Sequence, residues 1–537
     1  MDKTEAVLPA QGGAPAEAPA ATPDSPGARK GMRDRLPAGR LDPYLLASAF
    51  LCAYTALSVS RDRRMLAMSW DLGIFEQAVK SYAHLRAPVV DLKGPGFDVL
   101  GDHFSPITAL IAPFYRIFPT PVTLLVVQAL LFAVSVIPVT RAGVRALGRG
   151  RGCAVGVAYG LSWGVQRAVD FDFHEVAFAM PLLAFSLEAV LRGKWTVALW
   201  WAVPLVLVKE DMGATVAMIG LLVRLRTRHE RRAARSAPGE PGDRAGREAG
   251  GGRGSSAGTY ALALAAFGIA ASAWEVNWLI PAFHGPGYDA FTHINGEGAL
   301  KGHVPVATAV RTLLWVLLPA GGLLALRSPL LLVALPTLGW RFYSHYPENW
   351  GTAWHYSAVL MPVVFLALVD AVAALERPGP HGAFGPHGGV GPSARRAGRR
   401  LRGYAAAMPA AAAGAAIALT AHLPLAGLTH ADAYRVDART RTVERLLDRI
   451  PDGATVESDV GPLSVLVRRT TVYWIGGSKD VVPQYIALGS AADWADDPVG
   501  HAQALHPGFR YTVVANQDAC VILRRVDPAQ SVTLHMV

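Results

Sequence analysis

Apolar runs recur along most of the chain and are separated by short polar connections. A helix that crosses a bilayer needs roughly 20 apolar residues, or fewer where it is short or re-entrant. Runs that meet this requirement lie at about 43–60, 119–140, 152–169, 176–192, 195–208, 211–223, 258–282, 305–326, 328–343, 355–375 and 403–426. The pattern therefore predicts an α-helical polytopic membrane protein with about 11 transmembrane helices.

Three segments depart from this pattern. Segment 105–118, SPITALIAPFYRIF, is too short and too rich in proline to span easily, and we interpret it as an interfacial or re-entrant helix. Residues 429–537 contain an amphipathic stretch, TRTVERLLDRI, followed by β-branched alternation, so they predict a small soluble α/β domain. Residues 1–40 are rich in Ala, Pro and Gly and predict a disordered tail.

The positions of Lys and Arg predict how the chain is oriented. Basic clusters lie at Arg29–Arg40, Arg141–Arg151, Arg192 with Lys194, Arg224–Arg253, Arg327 and Arg377–Arg402. With an odd number of spans, all of these clusters fall on the side that the positive-inside rule assigns to the cytoplasm. Only the basic residues at 61–64 fall on the opposite side. We therefore expect a cytoplasmic N-terminal tail, a plasma (cytoplasmic) membrane domain over 41–428 with an outer loop at 61–118, and an extracytoplasmic domain at 429–537.

Composition narrows the class of protein. Because 52% of the residues are hydrophobic and only 17% are charged, an ordinary soluble enzyme is excluded. The net charge of +10 is spread over short loop clusters, so membrane lipids are expected as partners and nucleic acid is not. Cys52, Cys153 and Cys520 are far apart, which supports neither a disulfide framework nor a thiolate metal site, and the redox compartment stays undetermined.

The polar stretches that could carry chemistry share one side of the membrane in this topology. They are WDLGIFEQ, GDHFSP, DFDFHE, KED and SHYPENWGTAWHY, and all of them fall on the outer face. The cytoplasmic connections contain mainly Arg, Gly, Ala and Pro. No single stretch is diagnostic, but their common sidedness favours a functional site at the outer face.

The first of these stretches, WDLGIFEQAVKSY, contains Asp71, Glu76 and Gln77 just after the first span. An acid beside an aromatic residue outside the bilayer suits a general base whose pKa is set by partial burial. The alternative is ordinary capping of a helix N-terminus by Asp71 and Glu76. In GDHFSP, the neighbouring Asp102 and His103 suit a divalent metal ion or a phosphate, and a turn that caps the following helix is the alternative.

Two further stretches place several charges between apolar runs. VDFDFHEV carries Asp172, His174 and Glu175, which are costly if drawn into the apolar layer and otherwise lie at the level of the lipid headgroups. LVKEDMG carries a lysine and two acids. This second group forms either an internally neutralised cluster or a site where the lysine binds an anionic phosphate; its members are Lys209, Glu210 and Asp211.

The stretch RFYSHYPENWGTAWHYS mixes aromatic residues with hydrogen-bonding residues. Its candidates are Arg341, His345, Glu348, Trp354 and His355. An aromatic belt at the membrane interface explains the Trp and Tyr residues. It does not explain the His and Glu residues beside them, whereas a sugar ring requires both an aromatic face and hydrogen-bonding partners.

The ordered motifs WDLGIFEQAV, GDHFSPITALIAPFYRIFPTPVTLLVVQALL, DFHEVAFAMPLLAF, LVKEDMG and SHYPENWGTAWHYSAVLMP resemble the DUF2079 family of polytopic membrane proteins. The resemblance runs from about 44 to 375, with the outer tail included. As a group, this family is similar in architecture to the GT-C superfamily of glycosyltransferases. The expected fold is therefore a GT-C-like membrane domain with a small α/β extracytoplasmic domain.

The resemblance implies transfer of a sugar from a polyprenyl-phosphate donor to a glycan, lipid or protein acceptor on the outer face, usually with inversion. The hallmark acid of the first outer loop matches Asp71, which would be the general base. The acidic pair common in other branches is absent because Leu72 follows Asp71, which leaves dependence on a divalent metal ion open and makes Glu76 a candidate partner. Lys209 and Arg341 are the candidate cations for the leaving phosphate.

The remaining candidates are assigned to substrate or phosphate binding: Gln77, Asp102, His103, Asp172, His174, Glu175, Glu210, Asp211, His345, Glu348, Trp354 and His355. Two other functions fit an apolar chain with outer polar loops, namely a transporter or flippase of a lipid-linked precursor and a non-enzymatic envelope assembly factor. Transporters commonly contain paired internal repeats, and no convincing repeat is visible in this sequence.

Overall fold

The computed structural model describes residues 40–236, 244–286, 288–289, 303–376, 392–489 and 492–526. The predicted N-terminal tail lies outside the described residues except for Arg40. Residues from Leu41 onward belong to one compact unit.

The helices of the first half are α1 (Asp42–Arg63), α2 (Trp70–Ala83), α3 (Ala112–Ile117), α4 (Pro121–Leu147), α5 (Arg149–Gly160), α6 (Trp163–Phe171), α7 (Ala179–Leu191), α8 (Trp195–Ala202), α9 (Met212–Ser236) and α10 (Arg244–Trp274). Those of the second half are α11 (Ile280–His284), α12 (Val306–Leu317), α13 (Leu335–Tyr343), α14 (Pro347–Trp350), α15 (Leu360–Glu376), α16 (Pro392–Thr420), α17 (Ala438–Leu447), α18 (Pro462–Leu466) and α19 (Pro498–Leu505). Short 3-10 segments connect many of them, and a π-helical turn, Glu275–Leu279, joins α10 to α11.

Local sequence explains the bounds of the long helix α4. Pro121 occupies its first turn, where the missing N–H is not needed, and the hydroxyl of Thr120 accepts the N–H of Val122. The helix ends at Gly148, whose φ of 88° favours glycine. Helices α4, α7 and α15 contribute many of the buried apolar side chains of the membrane part, and most residues of α15 are buried.

Four helices within the described ranges are long and apolar enough to cross a membrane: Asp42–Arg63, Pro121–Leu147, Ser256–His284 and Gly398–Thr420. Other apolar runs form shorter pieces. The run at 152–169, for example, is divided between α5 and α6. The structure therefore supports a mostly helical membrane protein, while the total of about 11 spans remains a prediction.

Segment 105–118 folds into a 3-10 turn, Pro106–Ile111, followed by α3. One side of it packs into the protein through Ile111 and Tyr115, and the other exposes Leu110, Phe114 and Ile117. Exposed apolar side chains on a short surface helix suit a position at a membrane interface, which stays a prediction.

The C-terminal part contains the predicted α/β domain. Its sheet consists of β1 (Thr455–Ser458), β2 (Thr471–Trp474), β3 (Tyr485–Leu488), β4 (Tyr511–Gln517) and β5 (Cys520–Arg525), in the order β2-β1-β3-β5-β4. Strands β2 and β3 run parallel to β1, while β5 is antiparallel to β3 and forms a hairpin with β4. Asp518 and Ala519 both have positive φ at the hairpin turn, the geometry that matches strand twist.

Helix α2 lies between this domain and the membrane helices. The amide of Gln77 donates to the carbonyl of Val472 at 2.9 Å, and the backbone N–H of Gly461 donates to Ser69 Oγ at 3.0 Å. Ile74 packs with the apolar core of the domain, whereas Phe75 packs with that of the membrane part. Because both sides of α2 are covered, its polar residues are largely enclosed by protein.

Candidate functional site

Asp71 is the second residue of α2, and another carboxylate binds the backbone just before that helix. The backbone N–H groups of Met68 and Ser69 donate to Asp172 at 3.1 and 2.5 Å. Within the described residues, the Asp71 carboxylate accepts no hydrogen bond, and Ser69 makes no side-chain cap either. The Asp71 carboxylate therefore makes no capping contact in the described chain, and Asp172 holds the two residues that precede the helix.

Three segments far apart in sequence meet at Asp71. One ligand atom each from Asp71, His174 and His355 lies within 4.8 Å of the other two, and we call these three residues the acid–imidazole cluster. The rings of His174 and His355 stack with their centroids 3.6 Å apart. Phe75 and Phe171 contact the two imidazoles edge-on or tilted, with centroid separations of 5.4 and 4.8 Å. The cluster thus combines one carboxylate and two imidazoles inside aromatic walls.

A buried ion pair lies next to the cluster, on the His174 side. The Oε2 atom of Glu175 lies 2.5 Å from Nδ1 of His174, at an angle that does not make a regular hydrogen bond. Its Oε1 atom lies 3.3 Å from the ammonium of Lys209. Burial alone would raise the pKa of Glu175, but the charges of His174 and Lys209 hold it below its ordinary value. Burial would lower the pKa of Lys209, yet the neighbouring acids keep it above its ordinary value.

A second contact joins two of the predicted stretches. Nδ1 of His103 lies 2.8 Å from Oε1 of Glu210, and the N–H of Phe104 donates to the other carboxylate oxygen at 3.2 Å. Although burial opposes it, His103 and Lys209 hold the pKa of Glu210 at about 2. Asp102 instead pairs with Lys93, so the neighbouring Asp102 and His103 do not share one ligand as a metal pair would.

Arg341 has a different role from the predicted phosphate contact. It is fully buried, and its guanidinium donates to the carbonyls of Asn349 and Gly351 at 2.7 Å each and to Ser357 Oγ at 3.1 Å. With these donors taken, Arg341 holds the loop that presents His355. Trp354, in the same loop, has a φ of 63° and contacts the ring of Phe171.

The structure does not bring Glu76 to the cluster. The hydroxyl of Tyr115 donates to Glu76 Oε1 at 2.8 Å on another side of α2, and the other oxygen has no hydrogen-bond partner in the described chain. Burial raises the pKa of Glu76 to about 8. Gln77 likewise serves packing, because its amide bridges Leu92 and Val472.

The other candidates lie in the surroundings of the cluster or away from it. Glu348 is exposed in α14, and the ring of His345 faces that of His303 at 5.8 Å. Asp211 follows the Lys209–Glu210 pair and has one buried carboxylate oxygen without a hydrogen-bond partner among the described residues.

Two polar residues near these groups were not among the candidates predicted from the sequence. Gln128, in the apolar stretch LLVVQALL of α4, accepts the N–H of His174 at 3.0 Å and donates to the carbonyl of Asp172, so it fixes the His174 segment. Glu275 is buried in the π-helical turn, and its Oε2 atom has no hydrogen-bond partner in the described chain. A lone amide or carboxylate inside an apolar run is the signal that could have found both.

The chain is similar to solved structures, among them two of ArnT. ArnT from Cupriavidus metallidurans bound to undecaprenyl phosphate is 14% identical, with 91% of this chain and 99% of that chain covered and a TM-score of 0.47. ArnT from the same organism in the apo state gives the same identity and TM-score, with 89% and 97% covered. At this identity and TM-score, residue roles do not transfer from one chain to the other.

Comparison with protein families gives a more direct result. No curated protein matches the chain. A family model described as predicted membrane protein (DUF2079) matches residues 61–518 and includes every member of the acid–imidazole cluster. Because this match spans most of the sequence, the protein belongs to the DUF2079 family of membrane proteins.

Proposed function

We propose that this protein transfers a sugar from a polyprenyl-phosphate donor to a hydroxyl or amide acceptor at the outer face of the membrane. The observation that carries the proposal is the acid–imidazole cluster. Its carboxylate accepts no hydrogen bond in the described chain, and a buried lysine contacts the Glu175 carboxylate beside His174. These groups supply what such a transfer requires: a base for the acceptor and positive charge near the leaving phosphate.

Asp71 is the base. The acceptor oxygen or nitrogen forms a bond to the anomeric carbon while the bond from that carbon to the phosphate oxygen breaks. The acceptor proton passes to Asp71, and the electron pair of the broken bond leaves with the polyprenyl phosphate, which inverts the anomeric centre. Burial raises the pKa of Asp71 above its ordinary value, and this makes the carboxylate a better proton acceptor than an exposed aspartate.

Lys209 supplies the positive charge. Its ammonium has three N–H donors, of which the contact with Glu175 occupies only part. The neighbouring His103 is about a third exposed, so it is accessible to a bound ligand. Both residues belong to outer stretches in the predicted topology, where a lipid-linked donor presents its phosphate.

The test compares Asp71→Asn with wild type. Purified protein is incubated with a panel of polyprenyl-phosphate sugars, and transfer and donor hydrolysis are followed by mass spectrometry. We expect wild type to consume at least one donor and Asp71→Asn to lose about 10²–10⁴-fold in rate. Asp432→Asn, an exposed aspartate in another segment, is the matched control and keeps the wild-type rate.

Two results would contradict the proposal. One is the absence of transfer and of hydrolysis with every donor by protein that is monodisperse and folded. The other is an Asp71→Asn variant that transfers sugar as fast as wild type.

A further inference from the structure

We propose that Asp71, His174 and His355 bind one divalent first-row transition-metal ion. The three residues come from helix α2, from the connection between α6 and α7, and from the loop before α15. Each offers one oxygen or nitrogen atom, and these atoms lie within 4.8 Å of one another. Such an arrangement lets a single ion contact all three after small side-chain adjustments.

The unpaired ring nitrogens of His355 in the described chain indicate that a ligand binds here. The residue is only 2% exposed, and neither ring nitrogen has a hydrogen-bond partner in the described part of the chain. Buried polar atoms in folded proteins are nearly always paired with protein, water or a ligand. A buried imidazole without a partner, stacked on a second imidazole beside a carboxylate, is the donor set that a metal ion completes.

The surroundings of His174 resemble the outer shell of a metal site. Glu175 Oε2 lies 2.5 Å from Nδ1 of His174, an ionic contact on one side of the imidazole ring. Glu175 is in turn held by Lys209 at 3.3 Å. Histidines that ligate metals almost always have a carboxylate, carbonyl or water on their other ring nitrogen, because that contact fixes the ring and increases its basicity.

The backbone also holds the cluster in place. Asp172 has a φ of 137° and Trp354 a φ of 63°, so the residues close before both histidines adopt conformations that side chains disfavour. Asp172 is not itself a ligand candidate, since its carboxylate oxygens accept the N–H groups of Met68 and Ser69. Packing maintains these strained positions beside the two histidines.

The donor set determines the class of ion. Two imidazoles with one carboxylate suit Zn²⁺, Mn²⁺, Fe²⁺ or Co²⁺, whereas Mg²⁺ and Ca²⁺ prefer oxygen ligands. Three protein ligands leave positions open for another group. The ion takes one carboxylate oxygen of Asp71, and the other oxygen remains for the acceptor proton in the proposed transfer. That a donor phosphate occupies an open position of the ion rests on the proposed function, while binding of the ion does not.

The experiment measures ion binding directly. Full-length protein in detergent is stripped with a chelator and dialysed against Zn²⁺, and bound metal per chain is counted by mass spectrometry. Affinity is measured by titration with Co²⁺, whose visible absorption reports nitrogen and oxygen ligands. We expect one ion per wild-type chain and a higher melting temperature with the ion bound, because the ion links three segments of the folded chain.

Variants separate this site from adventitious binding. Asp71→Asn and His355→Gln should lose the bound ion, and Glu175→Gln should bind it about 10–100-fold more weakly. His84→Gln, an exposed histidine at the end of α2, is the matched control and keeps wild-type affinity. Size-exclusion profiles verify that each variant is folded. If His355→Gln does not fold, Asp71→Asn still tests the site, because Asp71 is partly exposed and should tolerate substitution.

Absence of binding by stripped wild type overturns the proposal, as does unchanged affinity in the folded Asp71→Asn variant. The outcomes also separate this site from the proposed transfer reaction. One bound ion without transfer from any donor contradicts the transferase and leaves the metal site standing. Transfer by metal-free protein that binds no ion contradicts the metal site and leaves the transferase standing.

Discussion

Glu76 is a carboxyl group enclosed by protein, and a single hydrogen bond from Tyr115 does not replace the water it has lost. Burial therefore raises its pKa from 4.5 to about 8. A group whose pKa is higher in the folded state stabilises the fold in its protonated form. That stability is fully present below pH 4.5 and is lost as the pH rises through about 8.

We expect Glu76→Gln to remove this dependence on pH. Wild type should melt at lower temperature as the pH rises through about 8, while Glu76→Gln should keep a flatter profile and melt a few degrees higher at alkaline pH. Melting temperatures followed by tryptophan fluorescence from pH 5 to about 9 would show the difference. Glu348→Gln, at an exposed site, should follow wild type, and a Glu76→Gln profile parallel to wild type would contradict the assignment.

At the scale of elements, α2 connects the two parts of the protein. Its sequence is apolar on most sides because one side packs on membrane helices and another on the α/β domain. Gly73 makes the second contact close: a Cβ atom at this position would overlap the side chains of Leu463 and Leu92. The position of Asp71 relative to the histidines depends on α2, so domain packing and site geometry are coupled.

We expect Gly73→Val to loosen the α/β domain from α2, since overpacking at a close contact costs about 1–3 kcal/mol. Limited proteolysis should release a C-terminal fragment faster from this variant than from wild type. Gly427→Val is the control, because a Cβ atom at Gly427 meets open space. Equal rates of release from Gly73→Val and wild type would show that this contact does not hold the α/β domain against α2.

At the scale of the whole molecule, the cluster lies where helix α2 meets the segments that precede α7 and α15. The charged stretches at 172–175 and 209–210 are connected by the Glu175–Lys209 pair, and the stretch at 102–103 joins them through the His103–Glu210 contact. These stretches share the outer side in the topology predicted from Lys and Arg. Polar groups on the same side of a membrane are expected to lie close together in the folded protein.

Sidedness is tested by reporter fusions after residues 230 and 430. We expect the fusion at 230 to report a cytoplasmic location and that at 430 to report an extracytoplasmic one, because the basic connections flank residue 230. Both reporters on the same side would overturn the odd number of spans. A third fusion at residue 100, in the predicted outer loop, should match the fusion at 430.

Local pattern by itself determined many of the elements of this protein. Apolar runs of sufficient length predict membrane helices, and β-branched alternation after residue 450 predicts strands that the structure contains at β1, β2, β4 and β5. These features follow from hydrophobic burial and backbone preferences within a few turns of chain. The sequence also indicated which polar stretches to examine, because ionisable residues beside apolar runs are costly without a role.

Only the tertiary structure decided what each polar residue does. Asp172 accepts a backbone N–H from Ser69, which lies 103 positions earlier and just before α2. Arg341 donates to the carbonyls of its own loop, and Glu76 accepts the hydroxyl of Tyr115. Asp71, His174 and His355 meet because three separate segments pack together. No local spacing encodes such contacts, since they depend on how helices pack and on which donors remain unpaired after packing.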